Sequence, residues 1–529
     1  MSFQISPPTH LVLSRFPSRI PTVTLADVTR RGCLSRSTLD QPMSHLSDTS
    51  PPESSYDEPT PKLSRLLWWL QPKVALPLVL FAIILFSPLI FRAHRINSVP
   101  DIAEPFDLNA FGTVDIDPAD NAMTQYKAAV GLYLNAGLTG IPASEAEKAF
   151  EIGWEQTSEP LRKWLAANEP ALAEWRKGTE LKQSVLVQPK DMKIDMRLDV
   201  IENLRSMSRL ALLKADQCLS EGDVESAWGW HRSALRFSQH VSQNGVLIQR
   251  LIGISFFQQA AKGITRWADD PRVTAVQLQT ALEDIRAADK LATPNSDALK
   301  CEYLVLRELL GRDRLDELVS SPPSMSPPLF RTKAFLLGDP EYSQRLLRHF
   351  FDNWLSECDK PRWQQAPLAP GHLGLFEHPA GTHASLPPRD INARFMSPCF
   401  AREFLPALGQ VNAAFQRAAA RESVLKLALA CQIYYRLRGD WPVRLDDLKP
   451  EILLDLPADP LGRSGETFLM KRDGDELIIY SVGWNGADDG GQVGVLSSDG
   501  TWLDEGFRLR LPTKSPRPMN SETAPQEKH

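Results

Sequence analysis

The chain has 529 residues, with 59 Lys+Arg against 65 Asp+Glu and a formal net charge of −6. Hydrophobic residues make up 43% and charged residues 23%. This is globular composition, and it excludes a wholly disordered chain, a collagen and a polytopic membrane protein. An isoelectric point near 6.0 argues against a general nucleic-acid binder, which would be basic, so no nucleic-acid partner is expected. At roughly 150 residues per domain, the length allows about three domains.

Residues 1–65 are rich in Ser, Thr and Pro and show little periodicity, which predicts a disordered N-terminal segment. Its first part carries Arg15, Arg19, Arg30, Arg31 and Arg36 against a lone Asp27. That composition fits a transit peptide. A start at Met43 instead leaves a short acidic tail, and both readings stay open.

Residues 66–95 predict a transmembrane helix. Val74–Phe91, VALPLVLFAIILFSPLIF, holds no charge. As a helix it covers roughly 27 Å, close to the hydrocarbon core of about 30 Å. Each Leu, Ile, Phe or Val favours insertion by about 0.3–0.6 kcal/mol at the centre. Trp68 and Trp69 sit where an aromatic belt belongs, and Lys73 and Arg92 bracket the span, placed to snorkel to headgroups. Arg92 and Arg95 follow it in place of a small-residue cleavage site, against a cleaved signal peptide. Lys62, Arg65 and Lys73 before the span, against Arg92 and Arg95 after it, predict a cytoplasmic N-terminus.

Residues 105–400 predict an α-helical domain. Asp117-Pro118 pairs an N-cap with Pro at the first helical position, for a helix reaching about Gly137. Ser144-x-x-Glu147 is a capping box. Helical spacing recurs through Trp154, Leu161, Trp164, Leu172 and Trp175. Leu204–His240 forms two helical patterns broken at Gly222-Asp223, an αα-hairpin. Ala215, Ala227 and Ala234 take small-residue positions, and the unit resembles one tetratricopeptide repeat, with Gln239 where Pro is usual. No second copy is evident, and arrays need about three, so a helical bundle is the alternative. Further helices are expected at 246–267, 273–292, 296–311 and 341–357, with loops at Ser321–Pro328 and Pro367–Pro388. His372, His378 and His383 fall in the second loop, without metal-ligand spacing. Cys33, Cys218, Cys301, Cys358, Cys399 and Cys431 form no C-x-x-C pair. Cys218 and Cys431 read as buried free thiols, while one bridge among Cys301, Cys358 and Cys399 stays open for an extracytoplasmic domain.

Residues 401–512 predict a small α+β domain, and 513–529 a disordered tail. A helix over about 404–437 carries the apolar stripe Ala420, Val424, Leu427, Cys431, Tyr434. Arg436 and Arg438 complement its dipole, and Gly439 ends it. Leu445, Leu448 and Ile452 form a short helical piece, and Asp459–Gly462 a turn. Strands 468–472 and 476–482 form a hairpin joined at Asp473-Gly474. An Asn/Asp/Gly loop, 483–491, follows.

This order resembles the C-terminal part of the major pseudopilin of type II secretion systems. The matching pieces are the long helix, GDWP (Gly439–Pro442), ADPLG (Ala458–Gly462), the hairpin ending IYSVG (Ile479–Gly483) and the loop, together covering roughly 405–495. The resemblance implies a long helix on an antiparallel sheet outside the cytoplasmic membrane, with calcium bound in the loop by Asn485, Asp488 and Asp489. Those residue types suit calcium, which takes six to eight oxygens. Asn485 stands at a position that is acidic in the family. The span lacks the family's Gly/Phe cleavage point and internal Glu, and lies over 300 residues before the module.

The fold class expected is therefore mainly α: one transmembrane helix, an α-helical bundle or tetratricopeptide-like body, and a pseudopilin-like tail. The whole resembles single-pass bacterial membrane proteins carrying such a tail. That implies an inner-membrane anchor with periplasmic domains, and a non-enzymatic scaffold for protein partners. The alternatives are a secretion-system component, or an envelope hydrolase using the His372–His383 loop. The sequence holds no G-x-S-x-G, Walker loop or dinucleotide fingerprint.

Overall fold

Charge-free apolar sequence, helix caps and one strong hairpin signal account for most of the elements found. The computed structural model describes residues 72–135, 153–194, 196, 199–311, 327–369, 378–379, 386–395, 405, 407–497 and 502–510. The predicted leader, the capping box at Ser144, most of both Pro-rich loops and the C-terminal tail lie outside them. So do Trp68, Trp69, Cys33, Cys399, His372 and His383.

The first helix, α1, is Pro72–Asn97. Its stretch Ala75–Asn97 is long and apolar enough to cross a membrane, and none of that apolar window is buried inside the protein. Contacts hold Leu76–His529 together as one unit, and only the last four residues of the other unit, Met1–Ala75, are described.

The body is helical. After α2 (Leu108–Gly112), α3 runs Ala122–Leu132. The helix expected at Asp117-Pro118 therefore starts later. Asp117 instead closes a turn, accepting from Ala119 N at 2.8 Å. Asn121 caps α3 and also exchanges bonds with Val185, its Nδ2 donating to Val185 O at 3.0 Å and its Oδ1 accepting from Val185 N at 2.9 Å. This distant pairing sets the start. Then follow α4 (Glu159–Ala167), capped by Ser158, and α5 (Glu169–Thr179). Leu161, Trp164, Leu172 and Trp175 are buried, as their spacing predicts.

The αα-hairpin is present as α6 (Asp199–Glu221) and α7 (Val224–Ser242). Asp223 caps α7 by accepting from Ser226 N at 2.9 Å. Ala215, Ala227 and Ala234 are buried, so the small residues do lie in the packing. Next come α8 (Leu247–Asp269), α9 (Ala275–Asp289), α10 (Asn295–Leu309), α11 (Pro327–Leu337), α12 (Glu341–Leu355) and α13 (Pro388–Phe395). Cys218, Cys301, Cys358 and Cys431 are buried free thiols. Cys301 and Cys358, two of the three candidates for a bridge, are thus unbridged.

The long helix α14 is Leu408–Arg438. Gly439 stops it with φ +80 and donates N–H to Tyr435 O at 2.8 Å, a left-handed residue that Gly adopts without steric cost. Arg436 does more than face its own helix end. Its guanidinium donates to Ala268 O, Asp270 O and Val273 O at 3.1, 2.8 and 2.9 Å. These carbonyls lie at and beyond the end of α8, where backbone acceptors lack helical partners.

A short pair, β1 (Leu368–Ala369) and β2 (His378–Pro379), precedes the tail sheet. The hairpin is β3 (Leu469–Asp473) and β4 (Glu476–Ser481). Asp473 pairs with Glu476, so the turn is Gly474-Asp475, one residue later than expected. Gly474, at φ +61, supplies the positive φ that a II′-type turn needs at its first central residue. A third strand, β5 (Glu505–Arg510), completes the antiparallel order β3-β4-β5. The sequence reading did not assign it, although Phe507 and Leu509 alternate with polar residues. Leu477 and Ile479 of β4 and Leu509 of β5 join Leu427 and Cys431 of α14 and Trp267 and Leu282 of the body in one continuous apolar core.

Candidate functional site

Two places carry the residues that the sequence singled out: the loop after β4 and the foot of α1. In the loop, Asn485, Asp488 and Asp489 do come together. Asn485 Nδ2 donates to Asp489 Oδ2 at 2.8 Å, and Asn485 Oδ1 accepts from Ala487 N at 3.0 Å. Asp488 Oδ1 accepts from Tyr480 O–H at 3.0 Å and from Gly490 N at 2.9 Å. Burial first, and the Asp488 carboxylate second, push the Tyr480 phenol up to about 12.

The loop's organiser is Asp504, just before β5, which sequence reasoning missed. It is buried. Its Oδ1 accepts from Asp489 N at 3.3 Å, and its Oδ2 from Gly491 N and Gln492 N at 2.8 and 2.9 Å. Burial raises its pKa, against the lowering by these amides. Lys471 Nζ donates to Gly490 O at 2.9 Å, and Arg508 to Gly491 O at 3.2 Å. The loop thus folds over the outer face of β4, where Gly491 lies against Ile478 and Tyr480. Its other end stacks, with the Arg362 guanidinium 4.5 Å from the Trp484 ring centroid.

Calcium takes six to eight oxygens, waters included, at about 2.3–2.6 Å. Here Asn485, Asp488 and Asp504 already accept backbone or side-chain donors, and two loop carbonyls are held by the protein's own cations. Among the described residues, no group of three His, Cys, Asp or Glu side chains is placed to hold a metal ion. Of the three candidate histidines, His378 lies on β2.

At the foot of α1 the arginines bond to the helix α11 and the start of α12. Arg92 Nη1 donates to Phe335 O at 2.7 Å, and its Nη2 to Glu341 at 2.9 Å. Arg95 Nε donates to Leu337 O at 2.7 Å. Phe335 and Leu337 are in the last turn of α11, where carbonyls lack intrahelical donors, and a guanidinium fork satisfies them well. The exchange is mutual. Arg345 of α12 donates to Ile96 O in the last turn of α1 and to Val99 O just past it, at 3.1 and 3.0 Å. Arg348 donates to Asp101 at 2.6 Å and to Ile102 O at 3.2 Å. His349 Nε2 donates to Pro100 O at 2.9 Å; burial lowers its pKa and favours the neutral ring. Arg92, expected to reach headgroups, has partners within the protein in this clamp. Arg345 and Arg348 were not legible as partners of a segment some 250 residues earlier.

Compared with protein-family models, curated proteins and solved structures, the chain finds no match in any of the three.

Proposed function

We propose that the protein is a membrane-anchored scaffold that holds a helical body and an α+β tail at a fixed height above one face of a bilayer, for docking other proteins. The arginine clamp carries this reading. A flexible tether would leave the body free to tumble, whereas Arg92, Arg95, Arg345 and Arg348 bind it to the first residues after the apolar stretch. Support for a docking role comes from Val443 and Leu454 on the tail, which stand 86% and 84% exposed. The tail's likeness to a pseudopilin C-terminal part favours the extracytoplasmic side. Protease protection tests this in intact and permeabilised bacterial cells expressing the full chain. The body and tail are cut only after the outer envelope is opened. Cutting only after the inner membrane is lysed places them in the cytoplasm and overturns the extracytoplasmic reading.

A further inference from the structure

Among the described residues, the helix that receives the clamp, α11, presents one largely exposed side. Its residues advance by roughly 100° each. Ala334 is buried, and the opposite arc carries Leu329, Thr332 and Phe335, with Arg331 and Lys333 at its flanks. Leu329 is 63% exposed and Phe335 47%. The position of this face is tied to α1. The Arg92 guanidinium lies 4.6 Å from the Phe335 ring centroid. Arg92 directly follows Phe91, the last residue of the uncharged stretch. At the next turn the two segments touch again, because a Cβ on Gly338 would fall 2.7 Å from Ile96 Cγ1. Phe335 is thus held level with the end of the span.

We infer that α11 is an interfacial helix. Its Leu329–Phe335 side enters the headgroup layer of the bilayer that α1 crosses, and Arg331 and Lys333 meet lipid phosphates. An apolar strip flanked by cations is the pattern of helices that lie in that layer, and juxtamembrane basic residues are attracted to anionic lipid. The docked helix gives the clamp a second function: it sets the tilt of the body as well as its height. This inference rests on α1 spanning the membrane.

The full chain is reconstituted in vesicles of equal parts phosphatidylcholine and phosphatidylglycerol, with Cys33→Ser and Cys399→Ser. The remaining thiols are buried. A fluorophore is attached in turn through Leu329→Cys, Phe335→Cys, Ile84→Cys within the span, and Val276→Cys on the 70% exposed surface of the body. Quenching is compared for lipids brominated near the headgroup and near the chain end. An interfacial face sinks by about 5–10 Å, so labels at 329 and 335 should be quenched by the shallow bromines at least about twofold more than the label at 276. The label at 84 should respond to the deep bromines. If 84 is quenched while 329 and 335 match 276, the interfacial helix is wrong and the anchor stands. If 84 is not quenched by either lipid, the anchor fails and the inference with it.

Discussion

Gln432 Nε2 donates to Asp269 Oδ1 at 2.7 Å. This bond links the C-terminal part of the tail helix α14 to the last residue of α8 in the body. Arg510 of β5 adds a backbone N–H to the same oxygen at 3.3 Å. Helix, sheet and body therefore meet on one carboxyl group. Burial pushes Asp269 up from 3.8 to about 7, against the lowering by Arg510, Gln432 and Arg436.

That raised value gives a pH dependence. The folded state keeps a proton on Asp269 that the unfolded chain gives up near pH 4. Stability from this group is therefore fully present below about 4 and is lost as pH rises toward about 7. Asp269→Asn keeps an uncharged acceptor in place. Urea denaturation across this window should show a flatter fall in stability for the variant than for the parent. Parallel curves exclude Asp269 as the source.

Glu505 opens β5 and is buried, with Arg421 of α14 donating to it at 2.6 Å and the Arg417 guanidinium 3.9 Å away as a second, looser ion-pair partner. Removing one partner of such a pair leaves an unmatched charge, at a cost of about 3–5 kcal/mol. Glu505→Ala should lower the melting temperature sharply, and by more than Arg508→Ala, whose pairs with Asp473 and Glu476 are at 3.8 and 3.7 Å on partly exposed side chains. Equal effects would show that the Arg421–Glu505 pair is worth no more than a surface contact.

Asp504 accepts three loop amides, so Asp504→Ala orphans donors that cost about 1–3 kcal/mol each when left buried. Amide exchange at Gly491 and Gln492 should accelerate in the variant, while that in α6 and α7 stays at the parent rate. In the parent, calorimetric titration with millimolar calcium should give no binding heat, because the loop's oxygens are engaged. A saturable heat would show that the loop opens to take the ion.

The clamp predicts a protease signature. In vesicles, Arg92→Ala together with Arg345→Ala removes bonds to Phe335 O, Glu341, Ile96 O and Val99 O. Cleavage of the full chain between residues 95 and 104 should become several-fold faster than in the parent. An unchanged rate would mean that apolar packing around Val99 alone holds the body in place.

The sequence alone determined the features that depend on neighbours along the chain. An uncharged run of apolar residues makes α1, which continues through Pro77 and Pro88. Apolar spacing of three and four with Gly at its end makes α14, and alternation around a Gly turn makes β3–β4. The same local logic found the buried alanines of α6 and α7. Only the tertiary structure decided which unsatisfied groups meet. Arg436 goes to the end of α8, Arg92 and Arg95 to α11, Asp504 to the loop, and Asn121 to Val185. β5 became a strand because β4 offered it a free edge. A backbone carbonyl or a carboxylate at a helix end needs a partner, but its own stretch of sequence does not specify which distant donor arrives. The apolar patterns say where the chain is buried and which helix is apolar enough to cross a membrane, and the long-range hydrogen bonds decide how its parts are locked together.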